Sequence, residues 1–292
     1  MFKGSMVPIV TPFKRNKVDE KALSKLIEWH IKEGTHAIVP CGTTGEASTL
    51  DYDEHYRVIE VTVKAVNGRV PVIAGTGANS TEEAITITRK AWQLKADAAL
   101  VVAPYYNKPT QEGLFQHFKA VAASVKDMPI MLYNVPGRTS VNILPETVAH
   151  LAEKVKNIVA IKEATGDMKQ VSKLMRLCGK RITVVSGDDF TTLPLYALGG
   201  MGTISVTANI APKASAEMWN AWEAGDLEAA RKLHYRLEPL HYSMFIETNP
   251  IPVKTALAMM GMINEEFRLP LCEMSDDNKA RLKKVLKENK LI

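Results

Sequence analysis

One recurrence constrains this chain more than any other feature. A short β-branched or apolar run, a polar or glycine-containing turn and an amphipathic stretch repeat along most of its 292 residues. The candidate strands lie near 6–10, 36–40, 71–75, 98–103, 129–133, 157–162, 182–186 and 202–206. VPVIAG, ADAALVVAP and KNIVAIKEA are apolar throughout rather than alternating, as strands are when a parallel sheet is covered on both faces. The stretches between them have helical periodicity. In 21–33, Leu23, Leu26, Ile27, Trp29 and Ile31 fall mostly on one side. The stretch 53–66 behaves the same way. The stretch 80–94 opens with Ser80 or Thr81 as N-cap and has Glu82 and Glu83 in its first turn, where carboxylates oppose the helix dipole.

Eight alternations predict an α/β chain, with a (β/α)8 TIM barrel over 1–225, a fold that typically takes ~250 residues. A doubly wound open sheet is the alternative, but it would need fewer strands and a nucleotide loop. From 226 onward no strand is evident. DLEAARKLHYRLEPLHYSMFIE, PIPVKTALAMMGMI and DDNKARLKKVLKENK predict a small helical extension over 226–292.

Composition removes several classes of function. With 46% hydrophobic and 24% charged residues the chain can build a large core, which excludes a disordered or collagen-like protein. The charge balance, 37 − 32 = +5, is spread along the sequence, whereas a nucleic-acid binder gathers it into a basic stripe. Cys41, Cys178 and Cys272 form no CxxC pair, which predicts reduced thiols and a cytoplasmic protein. No signal-peptide pattern is present, and no apolar run reaches the 18 or more residues of a membrane span. The seven histidines lack HExxH or other ligand spacing, so no metal is expected. The glycines of 74–79 and 199–202 fit neither GxGxxG nor GxxxxGK[ST], so no nucleotide cofactor is expected either.

In a barrel of this kind the reactive groups sit at the C-terminal ends of the strands. The second strand ends in Gly42-Thr43-Thr44-Gly45-Glu46, either a plain βα turn or a pair of hydroxyls and N–H groups able to hold a carboxylate. The fourth ends in PYYNKP with Tyr105 and Tyr106, and the fifth in YNVPGRT with Tyr133 and Arg138. Such tyrosines are either rim aromatics or proton-passing groups. The arginine is either a solvated loop charge or a fork aimed at a carboxylate. The sixth strand ends at Lys162, whose neighbours at spacing two, Ala160 and Ala164, leave room for a ligand. A lysine here either snorkels to the rim or stays in the dry interior. Desolvation disfavours an ammonium, and only the neutral amine attacks a carbonyl, so a Schiff-base nucleophile would be placed at this position.

Taken together and in order, GTTGE, PYYNKP, YNVPGRT, IKEATGD, SGDD at 186–189, GTISVTAN at 202–209 and NPIPVK at 249–254 carry a resemblance over essentially the whole chain. It resembles the pyruvate-dependent class I aldolases and lyases, which include the 4-hydroxy-tetrahydrodipicolinate (dihydrodipicolinate) synthases and N-acetylneuraminate lyase. GTTGE and the strand-six lysine mark the wider family, and YNVPGRT with its arginine marks the synthases. A sialic acid lyase or keto-sugar-acid aldolase would keep Lys162, Tyr133 and GTTGE without needing Arg138. A keto-acid sensor on the same barrel would do no chemistry.

The resemblance implies that Lys162 forms an imine with pyruvate and that Thr43, Tyr133 and Tyr106 relay protons, Tyr106 from a neighbouring subunit. It further implies that Thr44 holds the pyruvate carboxylate and Arg138 that of L-aspartate-4-semialdehyde. Gly187 and Ile204 would line the pocket through their backbones. A homotetramer built as a dimer of dimers is implied, with no cofactor. Some family members are inhibited by lysine at the dimer cleft, and the matching positions are Ala47, Ser48, Tyr52, His55, Asn79, Glu83 and Tyr105. Tyr52 and Ala47 depart from the histidine and serine common in inhibited members.

Overall fold

The computed structural model describes residues 2–292. Eight strands, each followed by helix, run in chain order: β1 (Gly4–Val7), β2 (Ala37–Ile38), β3 (Ile73–Gly75), β4 (Ala98–Val102), β5 (Ile130–Asn134), β6 (Ile158–Glu163), β7 (Thr183–Ser186) and β8 (Gly202–Ile204). All eight fall on the predicted segments. The helices after β8 are Pro212–Glu223, Leu227–Met244, Ile251–Met259 and Asp276–Glu288, the last three lying where the extension was expected. The chain divides into two compact units, 71–204 with the start of the chain, and 4–70 with 205–292.

In the first unit β3 to β8 pair in sequence order, every neighbouring pair parallel. Their side chains are almost all buried: β5 is buried throughout, and β6 everywhere except Val159. This is why these strands show no polar alternation. The covering helices are capped as their sequences dictate. Ser80, not Thr81, is the N-cap of Thr81–Gln93, its side chain accepting from the N–H of Glu83. Asn157, just before β6, closes the end of the helix Gln111–Ala123 and the turn that follows it by donating to the carbonyls of Ala122, Val125 and Met128 at 3.0–3.1 Å.

In the second unit β1 and β2 pair in parallel, Met6 opposite Ala37 and Val7 opposite Ile38. Asn209 joins the chain after β8 to the end of β1, donating to Pro8 O at 3.0 Å and accepting from Val10 N at 3.2 Å. A two-stranded antiparallel ribbon, Phe13–Lys14 against Lys17–Val18, was not evident from the sequence. Two-residue strands are too short for a periodic signal. Their turn, Arg15-Asn16, has φ of +54° and +59°, a conformation that Asn tolerates and Arg disfavours. The carboxylate of Glu266 compensates by accepting from both turn N–H groups.

Candidate active site

Lys162 and Tyr133 are register partners on adjacent parallel strands, so their side chains leave the sheet on the same face. Lys162 is 6% exposed and Tyr133 7%. The amine does not snorkel: Nζ stands 4.1 Å from the centroid of the Tyr133 ring. Space for the lysine stem is made by Gly187, just after β7. A Cβ there would lie 2.7 Å from Lys162 Cε and 2.7 Å from Ala164 Cβ. Ala164 thus borders the same glycine as the lysine stem.

The residues that follow, Asn134 and Glu163, point to the opposite face. The buried Glu163 carboxylate accepts from Asn134 Nδ2 at 3.0 Å, Gln170 Nε2 at 3.1 Å and Thr165 N at 2.9 Å, while Asn134 Oδ1 accepts from Ile143 N at 2.9 Å. Hydrogen bonds to a charged group are the strong ones, about 1.5–3 kcal/mol each, and this set pins both strands directly behind the reactive pair.

Arg138 lies exposed on a single helical turn, Pro136–Thr139. That turn is held by Thr139 Oγ1, which bonds the carbonyls of Val135 and Val141. Ile204, ending β8, is fully buried. Tyr106 is 88% exposed in the single chain with φ of +72°. Beside it, Asn107 Nδ2 donates to Asn79 O at 2.9 Å.

In the second unit Thr43 is half-buried and Thr44 2% exposed. Asn249 donates to Thr44 Oγ1 at 3.0 Å, and Thr11 Oγ1 donates to Gly45 O at 2.6 Å. Glu46 forms a fully buried ion pair with Lys254. Sequence reasoning had no role for Asn134, Glu163, Glu46, Asn249 or Lys254. The one available signal was Lys254, a cation inside the apolar stretch IPVKTALA. Cys41, beside the turn, is no thiolate nucleophile: burial pushes its thiol up, and Sγ sits against the carbonyl of His55.

Of the seven effector positions, four belong to the second unit: Ala47 and Ser48 in a 3-10 turn, Tyr52 exposed and stacked on Tyr56 with ring centroids 6.1 Å apart, and His55 buried. Asn79, Glu83 and Tyr105 belong to the first, and of these Glu83 and Tyr105 are exposed. His234 and His241 pack near one another with ring centroids 6.5 Å apart, and His241 bonds Thr207 Oγ1 at 2.8 Å. Among the described residues no three His, Cys, Asp or Glu side chains cluster as metal ligands, and no helix is long and apolar enough to cross a membrane.

Residues 1–289 match the dihydrodipicolinate synthetase family. The chain belongs to that family. It is 74% identical over the full length of both chains to the 4-hydroxy-tetrahydrodipicolinate synthase of Thermodesulfovibrio yellowstonii. The chloride-inhibited dihydrodipicolinate synthase of Acinetobacter baumannii, crystallised with pyruvate, is 50% identical with a TM-score of 0.97, covering 100% of both chains. The Cyanidioschyzon merolae enzyme, crystallised with lysine bound, is 40% identical with a TM-score of 0.97, covering 100% of this chain and 99% of that one. The family assignment settles the fold as a (β/α)8 barrel with C-terminal helices, as the alternation predicted. This family member is a 4-hydroxy-tetrahydrodipicolinate synthase, an enzyme of lysine biosynthesis.

Proposed function

We propose that the synthase condenses pyruvate with L-aspartate-4-semialdehyde through an imine on Lys162. The observation that carries this reading is a buried lysine amine lying over a tyrosine ring, with its stem fitted against a glycine. The neutral amine attacks the keto carbon of pyruvate, one proton is taken up and water leaves, giving a protonated imine. Its positive charge acidifies the methyl group, which loses a proton to form the enamine. The enamine carbon attacks the aldehyde, and the new alkoxide takes up a proton. The amino group of the adduct then attacks the imine carbon, closes the ring and releases Lys162 as the free amine.

Thr43, Tyr133 and Tyr106 are assigned the proton transfers, since a phenol of pKa ~10 passes protons at neutral pH only with a partner that tunes it. Thr44 is assigned the pyruvate carboxylate, Arg138 the carboxylate of the semialdehyde, and Gly187 and Ile204 backbone contacts. The high exposure of Tyr106 on the single chain supports its use across a subunit interface, within a cytoplasmic homotetramer built from dimers.

Borohydride added with pyruvate should leave one reduced adduct per chain, mapped by mass spectrometry to Lys162. Absence of the adduct, or its recovery on another lysine, ends the proposal. Mixing Lys162→Ala with Tyr106→Phe subunits tests the shared site, because hybrid dimers should regain turnover that neither variant shows alone. Lysine inhibition through the seven effector positions is tested by initial rates with millimolar lysine, and an unchanged rate removes it.

A further inference from the structure

The NPIPVK motif has no part in the imine chemistry, yet two of its residues reach the GTTGE turn within one unit. Asn249, 5% exposed, donates from Nδ2 to Thr44 Oγ1 at 3.0 Å. Lys254, its side chain wholly buried, pairs with the Glu46 carboxylate, donates to Glu266 O at 2.7 Å and lies 4.3 Å from the centroid of the Phe13 ring. The turn needs such support. Cys41 and Glu46, at its two ends, have φ of +55° and +53°, a region costing a side-chain-bearing residue roughly 1–2 kcal/mol.

The Asn249 bond also sets the direction of a proton. A threonine hydroxyl has one hydrogen to give and two lone pairs to accept with. The Asn249 N–H occupies a lone pair of Thr44 Oγ1, so the hydroxyl hydrogen must go to another acceptor. We propose that Asn249 is a positioning residue that holds Thr44 as a hydrogen-bond donor to the keto-acid carboxylate. The motif thereby sets affinity for pyruvate without touching it. This rests on the assignment of Thr44 to that carboxylate.

Steady-state rates with pyruvate varied and the semialdehyde saturating, measured on Asn249→Ala, Asn249→Asp, Thr44→Val and the Thr44→Val/Asn249→Ala double variant, test the inference. Asn249→Ala should raise KM for pyruvate about tenfold, the effect of one lost buried hydrogen bond, and more than it lowers kcat. Asn249→Asp has the same shape but offers an acceptor, which captures the Thr44 hydrogen and adds a negative charge, so its KM should rise further. In the Thr44→Val background Asn249→Ala should add nothing.

If Thr44→Val raises KM and Asn249→Ala does not, or if the two losses multiply, the inference is overturned while the Thr44 assignment stands. If Thr44→Val leaves KM for pyruvate unchanged, the assignment itself fails and the inference with it. Should Asn249→Ala not fold, the isosteric Asn249→Asp decides: an unchanged KM refutes the positioning role.

Discussion

Among the described residues two lysines lie buried, one in each unit, and the contrast between them separates chemistry from architecture. Lys162 is the next-to-last residue of a strand and Lys254 sits in a helix, both within apolar runs. Lys254 meets the Glu46 carboxylate, a backbone carbonyl and two aromatic rings, Phe13 and Phe267. Burial lowers its pKa, and the Glu46 charge opposes that shift. Lys162 has the face of Tyr133 and, among the described residues, no ion pair. A buried lysine matched to a counter-charge braces a turn, whereas one that faces only a ring and a small cavity leaves its amine open to a carbonyl.

The sharpest way to break this contrast is to replace each lysine with methionine. Lys162→Met should cost on the order of 10⁴-fold in kcat, as expected for loss of a covalent nucleophile, with no fall in melting temperature. Turnover near that of the parent would erase the difference between the two residues. Lys254→Met should instead strand the Glu46 charge and destabilise the fold by about 3–5 kcal/mol in urea titration. Adding Glu46→Gln should recover part of that loss. If the single variant melts like the parent, the pair is not structural.

Buried bases also sharpen the comparison through pH, since His30 in one unit and His117 in the other are both held away from water. Desolvation lowers His30 to about 3 and His117 to about 4, from an ordinary value of 6.5. The unfolded chain therefore binds more protons below pH 6.5, so the stability these residues hold is complete above that value. It is lost as pH falls through the window toward their folded values. Between pH 7.5 and 5 each should cost about 2 kcal/mol, read from urea midpoints at the two pH values. A flat profile would show that the rings are solvated. The most local test is Gly187→Ala, whose methyl would displace the Lys162 stem. It should cost about 10- to 100-fold in kcat for about 1–3 kcal/mol of stability. Equal kcat would mean that the lysine does not depend on that glycine.

Most of the fold was legible because a strand covered on both faces and a helix covered on one each write a local signature. All eight strands and the three terminal helices could be placed in this way. The ribbon at Phe13–Lys14 could not, since its turn is made tolerable by Glu266, some 250 residues away. Lys162 was legible from its small neighbours and strand-end position. Gly187 was named from resemblance alone, and its close fit to the lysine stem emerges only when β6 and β7 stand side by side. The network behind the site was invisible for a related reason. Asn134 and Glu163 are ordinary polar residues until the register Asn134↔Glu163 sets them together.

The sequence by itself determined which segments become strands and helices, where reactive side chains stand along them, and to which family the chain belongs. Local spacing and residue chemistry suffice for that. Only the tertiary structure decided which buried lysine would be neutralised by a carboxylate. The partner of Lys254 lies 208 positions away, and the electrostatic state of a buried cation depends on what lies within a few ångströms of it, whatever the distance along the chain.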